Sequence, residues 1–428
     1  MVKNQNLNLV TGIKMINVQK PYIETQDNHT RICCDFRLND GVETLWYEID
    51  KDYTEYLSLD SCDAFFTILT LLASLKGHDI SFEAPVSKRL YYGFLDILLP
   101  ALRIVNPGLM YIKVNAHTKE FDFKPKAVGT ALSLGVDSFH ALVSSMNTDY
   151  PVTHLTLFNS GAFGHEEHTV ARELFKKTIQ RVALAAKEMD LPLIAVDSNM
   201  SEILDISFVQ THSIRNLSFT LLFPKLFKIF FYASGYPVNK FKINPEVVDA
   251  THYDLLVAKA LCTENLEIMI AGLYDNRIDK ILTISSFIPS THHLNVCILA
   301  DSNQFLDSSE SLVKNCSRCF KCVKTMTALD ALGTLDAYSE VFDLKLYKSK
   351  KHQYLGQIIY DAKKLKSTHA LEILQAGKNK DHFLSWQSYY YAIYQGLSNL
   401  KKKIYKNTKK NNLYVSNNLK ALNEGKHK

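Results

Sequence analysis

The stretch ALSLGVDSFHAL, residues 131–142, sets a serine, a glycine and an Asp-Ser pair within six positions, between an apolar run and a helix-like one. Its reading decides the fold. In a strand–turn–helix corner the free backbone N–H groups at the helix start converge on one spot, and the helix dipole adds to them, which makes an anion site. Gly135 would let a ligand approach the backbone closely, while the Ser133 and Ser138 hydroxyls could donate to phosphate oxygens. Asp137 suits such a site if it orients the loop or helps hold Mg²⁺ beside a polyphosphate. An ordinary strand-to-helix corner is the competing reading. Neither a Walker loop, G-x-x-x-x-G-K-[ST], nor a dinucleotide loop, G-x-G-x-x-G, is present.

The surroundings of this turn predict an α/β fold. From about residue 127 the runs KAVGTALSL, THLTLFNS, LPLIAVDS, VNKFKIN and LEIMIAG read as short buried strands. Helical stretches lie between them at 166–189 and 215–233. Buried strands alternating with helices indicate a doubly wound parallel sheet covered on both faces, with ligands bound outside the carboxyl ends of the strands. The loops of interest are therefore 133–138, 159–164, 197–201, 244–252 and 272–277. Residues 1–126 read as a small α+β domain: TRICCDFRL and VETLWYEI flank the turn signal at 39–41 and predict a hairpin. Helices follow near 62–76, capped by Ser61, and at 88–104, kinked by Pro100; strands are expected at 79–84 and 109–116. Beyond about 336 a helical extension is expected, ending in an aromatic helix at 383–397. That density of Tyr and Trp suits packing against a neighbouring domain or subunit, a homo-oligomer included, or a base-stacking platform.

The chain has 428 residues, 46% hydrophobic and 22% charged, enough for two or three domains with a sizeable core. Its start lacks a secretory h-region, and the apolar runs 65–75 and 219–236 are too short or broken by Pro224, Lys225 and Lys228 to span a membrane. A cytoplasmic protein without a membrane partner is expected. The net charge of +5 is no nucleic-acid signature, but residues 401–428 hold nine lysines and one acidic residue. That tail reads as a solvated helix or as a basic footprint for RNA.

Eight cysteines divide into two groups. Cys33, Cys34, Cys62 and Cys262 sit in apolar stretches and read as small core residues. Cys316, Cys319 and Cys322 form C-x2-C-x2-C, with Cys297 the fourth thiolate. Four such ligands suit structural Zn²⁺; an Fe–S cluster or free redox cysteines are the alternatives.

SLGVDS resembles the SGGxDS signature of the ATP pyrophosphatase (PP-loop) superfamily, the adenine nucleotide α-hydrolases, with Leu134 where that family has its first glycine. The cysteine group is similar to the zinc site of the 7-cyano-7-deazaguanine synthases, and IRNLSFTLLF (214–223) to their G-R-N-x-x-F stretch, with His212-Ser213-Ile214 in place of a preceding Pro-Gly. The run from TENLEIMIAG to NCSRCFKCVKTMTALDALG also resembles a group of uncharacterised bacterial PP-loop proteins, matching at Cys319, Lys321, Cys322, Lys324, Thr325 and Met326. The resemblance covers about residues 40–335. It implies a HUP-like domain over 127–335, with a zinc knuckle at 297–322, ahead of a 336–428 extension.

It also implies a function. ATP and Mg²⁺ would bind at Ser133, Leu134, Gly135, Val136, Asp137 and Ser138. A carboxyl or carbonyl oxygen of a small-molecule substrate would be adenylated with release of pyrophosphate, and a nitrogen or sulfur nucleophile would then displace AMP. RNA sulfuration and non-catalytic nucleotide binding are the alternatives. Around this centre, Arg215 suits a phosphate, a substrate carboxylate or a surface ion pair. Arg277, with Lys280, could stabilise charge on leaving pyrophosphate, or be solvated. His252 could transfer protons or be a hydrogen-bonded structural histidine. Asn159 and Asp197 could meet ribose or adenine, or serve their turns.

Overall fold

The computed structural model describes residues 14–38, 41–163, 168–297, 315–380 and 383–401. The lysine-rich tail beyond residue 401 lies outside the described residues. Two compact units divide the chain: one takes in Met1–Asn276 with Ser286–Asn295, the other Arg277–Ser285 with Val296–Lys428.

The first unit is mixed α/β. Its strands are β1 (Met15–Val18), β2 (Tyr22–Gln26), β3 (His29–Leu38), β4 (Gly41–Asp50), β5 (Asp79–Phe82), β6 (Val86–Ser87), β7 (Val114–Asn115), β8 (Thr118–Lys119), β9 (Ala127–Ala131), β10 (His154–Phe158), β11 (Leu193–Ser198), β12 (Phe227–Ala233) and β13 (Glu267–Ala271). Its helices are α1 (Asp63–Lys76), α2 (Lys88–Tyr92), α3 (Leu99–Val105), α4 (Val136–Ser145), α5 (His168–Glu188), α6 (Met200–Ile203), α7 (Phe208–Ser218) and α8 (Asp254–Ala260). In chain order come α9 (Arg277–Ser285), of the second unit, and α10 (Ile288–His293), of the first.

Eleven strands form one sheet in the order β13-β12-β9-β10-β11-β4-β3-β1-β5-β7, with β2 beside β3. The first five are mutually parallel, which gives the central sheet its mostly parallel character. The expected hairpin forms, with β3 and β4 antiparallel from His29↔Asp50 to Leu38↔Gly41. Sheet continuity across the chain rests on an antiparallel seam, Asp197↔Glu48 and Ser198↔Tyr47. Asn199 extends the seam with its side chain, accepting from Trp46 N at 2.9 Å and donating to Thr44 O at 2.8 Å. A buried core runs from Ile16 through Phe66 and Phe94 to Phe230 and Ile268. Cys33, Cys34, Cys62 and Cys262 are buried free thiols, as small core residues should be.

β9 is buried and central, and its composition allows the crowding. A Cβ on Gly129 would stand 2.6 Å from Phe227 Cε1 and 2.8 Å from Phe230 Cδ2, so only glycine lets the β12 rings lie over this strand.

Several sequence expectations are corrected. Residues 215–233 are not one helix: α7 ends at Ser218, a short 3₁₀ turn follows at Phe219–Leu222, and β12 takes Phe227–Ala233. Pro224 cannot continue a helix, and the run FKIFFYA beyond it, five of whose seven residues are aromatic or β-branched, pairs with β9 and β13. VNKFKIN forms a 3₁₀ turn and irregular chain rather than a strand. The 109–116 strand shrinks to β7. The 88–104 helix is interrupted at Gly93–Leu98 by a wide π turn that re-forms as α3 around Pro100, whose missing N–H leaves the preceding turn free to widen. Helix α1 is preceded by Cys62 rather than capped by Ser61.

The second unit is helical. After α9 come the cysteine segment, α11 (Phe320–Leu332), α12 (Leu344–Lys364), α13 (Thr368–Ala376) and α14 (residues 386–401). Gly333, at φ +78°, ends α11 in the left-handed conformation that glycine adopts without cost. Among the described residues no helix is long and apolar enough to cross a membrane.

Candidate functional site

The chain leaves β9 for β10 and β11 on one side and returns to β12 and β13 on the other. The order therefore reverses between β9 and β12, and a crevice opens outside the carboxyl ends of neighbouring strands at such a point. The Ser133–Ser138 turn follows β9 directly, and Ser234–Tyr236 follow β12.

The turn has an unusual residue at its centre. Leu134 has φ +62°, the conformation a glycine would adopt freely, and its side chain is 3% exposed. A left-handed leucine costs roughly 1–2 kcal/mol, so the surrounding packing must hold it there. Its carbonyl accepts from Asn295 N at 2.8 Å. Gly135 is the N-cap of α4. A Cβ there would meet only Ser133 Oγ, at 3.4 Å, so the chain itself does not demand glycine and the approach to the backbone stays open. Ser133 is exposed and Asp137 half-buried. Ser138 is turned inward, accepting from Ser133 N at 3.3 Å and donating to Gly135 O at 3.0 Å.

Across the crevice lies a network that sequence reasoning missed. His212 Nε2 is 3.1 Å from Asp249 Oδ1 and 3.3 Å from Thr251 Oγ1, while Nδ1 is 3.3 Å from the Tyr232 hydroxyl. Ser213 bonds to the buried Asp254 carboxylate. Burial pushes Asp249 up, but the His212 ring and Thr251 outweigh it and hold the carboxyl at about 2. Tyr236 joins the two sides: burial first, then Asp249 and Asp137, raise its hydroxyl above the ordinary value. His252 packs its ring 4.9 Å from that of Tyr236, and its Nδ1 is 2.7 Å from Lys240 O. A carbonyl only accepts, so Nδ1 carries a proton. On α4, His140 Nε2 lies 3.2 Å from Asp275 Oδ2 in the loop after β13, with its ring 3% exposed. His212 and Asp249 are 37 positions apart; Asp249 lies in the 244–252 loop that the sequence singles out, while His212 carries no signal of its own.

Asn159 and Asp197 end β10 and β11 and meet each other, Asn159 Nδ2 donating to Asp197 Oδ1 at 2.6 Å. Burial raises the Asp197 pKa, with Asn159, Ser198 N and Arg172 opposing it. Arg215 is wholly buried, not in a surface ion pair. It donates to Ile206 O at 2.9 Å, Leu204 O at 3.2 Å, Ser201 Oγ at 3.1 Å, Ser160 O at 3.4 Å and Thr211 Oγ1 at 2.9 Å. All five acceptors are neutral, and burial lowers its pKa to about 10. The guanidinium thus clamps the loops after β10 and β11. Arg277 and Lys280 belong to α9 of the second unit; Lys280 is buried, and Arg277 lies near enough to His369 to oppose its protonation.

In the second unit the four cysteines converge. The Sγ atoms of Cys297, Cys316, Cys319 and Cys322 lie within 4.8 Å of one another. Separations of 3.4 Å (Cys319–Cys322), 3.8 Å (Cys316–Cys322) and 4.0 Å (Cys297–Cys319) bracket the ~3.8 Å edge of a tetrahedron with ~2.3 Å metal–sulfur bonds. Backbone N–H groups of Cys316 and Cys319 point at Cys297 and Cys316 sulfurs, at 3.4 and 3.3 Å. Burial, then the three neighbouring thiols, push Cys322 far up as a bare thiol, a repulsion that a dication would cancel. The cluster could hold a metal ion such as zinc.

No protein-family model, curated protein or solved structure matches this chain.

Proposed function

We propose that the crevice between β9 and β12 is the ATP site of a HUP-like domain, where a carboxyl or carbonyl oxygen of a small molecule is adenylated. The observation that carries this reading is Leu134: the SLGVDS turn takes the left-handed bend expected of a glycine at a phosphate-binding corner, at the point where the strand order reverses. The open approach to Gly135, the exposed Ser133 and the half-buried carboxylate of Asp137 fit a nucleotide with Mg²⁺.

Backbone N–H groups at the start of α4 and the Ser133 hydroxyl would hold the β- and γ-phosphates, and Asp137 would supply a carboxylate for Mg²⁺, which would neutralise charge on the polyphosphate. The substrate oxygen attacks the α-phosphorus; the bond to the α–β bridging oxygen breaks and pyrophosphate takes its electrons. A nitrogen or sulfur nucleophile then expels AMP. His252 Nε2 accepts its proton, and the His212–Asp249 pair steadies the wall behind Tyr236. Arg215 positions the loops. In the second unit the four-cysteine set is a structural Zn²⁺ site. With those thiols engaged and the other four buried in the core, no described cysteine is left for sulfur relay, which favours ligation over RNA sulfuration.

The test is ATP-dependent pyrophosphate release across a panel of carboxylic acids, with Asp137→Ala and Ser133→Ala beside the wild type. A signal that survives both substitutions excludes the turn as the active site, and ATP binding without release for any acid points to a non-catalytic role. One zinc per chain by elemental analysis supports the metal assignment; none overturns it.

A further inference from the structure

The second unit carries a groove of about 340 Å³ beside the cysteine cluster, between the start of α11, α12 and α14. Arg318, Phe320, Lys324, Gln353, Gln357 and Tyr394 are among its walls. An adjoining cavity of about 430 Å³ brings Lys350 together with Trp386 and Tyr390. Neither takes part in the proposed ATP chemistry.

Three properties of this surface point one way. Trp386, Tyr390 and Tyr394 recur every four residues along α14 and so share one face, yet they are 75%, 59% and 60% exposed. Phe320, at the start of α11, is 57% exposed. Apolar rings left in water along a groove mark an interaction surface. Between them stand glutamine amides, each offering a donor and an acceptor; Gln357 already spends its nitrogen on Asp361, at 2.8 Å, and keeps its oxygen. The charge is one-sided as well. Residues 336–428 hold 18 Lys and 7 Asp or Glu, a net +11, whereas the rest of the chain carries −6. At the groove itself Arg318 and Lys324 share the wall with Asp361, which pairs with Lys324 at 3.8 Å, and Lys350 lies in the adjoining cavity; this net positive lining attracts a polyanion.

The cysteine cluster sets the geometry of the groove mouth. Arg318 lies between two of the cysteines, its N–H 3.5 Å from Cys316 Sγ, and Ser317 holds a left-handed φ of +56°. Cys319 is the N-cap of α11, so Phe320 is its first residue, and Lys324 stands 5.9 Å from the Phe320 ring centre one turn later.

We infer that this groove binds single-stranded nucleic acid, with Phe320, Trp386 and Tyr394 stacking on bases and Arg318, Lys324 and Lys350 meeting phosphates. Stacking on aromatic rings along a basic track is how single strands are held without sequence readout.

The test uses the full chain and fluorescein-labelled oligo(U) and oligo(dT) twelve-mers, read by anisotropy over a salt series. Saturable binding is expected, weakened about tenfold by either Phe320→Ala or Tyr394→Ala. Arg318→Gln and Lys324→Gln should each lower the salt slope by about 0.7. Trp386 fluorescence should be quenched on binding, and the quench lost in Trp386→Phe. Unchanged thermal melting shows that each variant folds. Comparison of the two oligomers tells RNA from DNA. No binding at low salt overturns the inference. So does binding that both aromatic variants retain in full, which would place the contact on lysines elsewhere. Concentration-dependent dimerisation abolished by Tyr394→Ala, without nucleic-acid binding, would assign the surface to a second copy instead.

Discussion

The cysteine cluster and the SLGVDS turn are both short motifs, yet they are built in opposite ways. Three of the four thiols come from seven consecutive residues, and their chemistry is complete once those residues fold back on Cys297. The turn supplies only a corner. The site proposed for it draws on partners gathered from β12, the 244–252 loop and α7, and its central residue departs from the expected type. A local site declares itself through spacing; a distributed one does so only after topology has assembled it.

The largest effect should come from breaking the local site. Cys319→Ser with Cys322→Ser should abolish bound zinc by elemental analysis and remove more than about 5 kcal/mol from the second unit, read as a separate early transition in calorimetry. In the distributed site the most damaging single change should be Arg215→Met, which strands neutral acceptors around a buried apolar chain. About 3 kcal/mol should be lost in urea unfolding. Asp137→Ala should do the reverse: pyrophosphate release should fall by about 100-fold, with stability within about 0.5 kcal/mol of wild type.

The contrast also governs what the sequence could disclose. Alternating burial along β4, the buried runs of β9 and β10 and the C-x2-C-x2-C spacing are properties of neighbouring residues, and each is legible without a structure. β12 was not, because FTLLFPKLFKIFFYA carries apolar residues at helical and strand spacings alike; only Pro224 and pairing to β9 decide it. Reading it as helix displaces the end of the strand and hides Tyr236, while His212, ahead of the expected helix, stands only as a departure from the Pro-Gly of the resembled family. Arg215 was visible as a residue but not as a clamp, since its acceptors are mostly backbone carbonyls that no side-chain pattern encodes.

Two smaller effects sharpen the comparison. Leu134→Gly should keep the turn's shape while forfeiting a buried side chain, lowering stability by about 2 kcal/mol and leaving turnover within a few-fold. Leu134→Ile, branched at Cβ, should lose stability while straining the same backbone further. Asp249 gives a pH signature. Its folded pKa of about 2 lies below its ordinary 3.8, so its stabilising contribution is complete above about pH 4 and is lost as the pH falls through 2. Asp249→Asn should lower stability at pH 7 by about 1 kcal/mol and flatten that part of the acid unfolding curve.

A glycine at position 134 would visit both hands of backbone conformation in the unfolded chain and, held only by the Asn295 bond to its carbonyl, keep some of that freedom in the native turn. Leucine, pinned by its buried side chain and by Asn295 at its carbonyl, gives the turn one shape. The ordering entropy is then spent when the chain folds rather than when a ligand arrives. Calorimetry would show it as a less unfavourable binding entropy for nucleotide in the wild type than in Leu134→Gly, at nearly equal enthalpy.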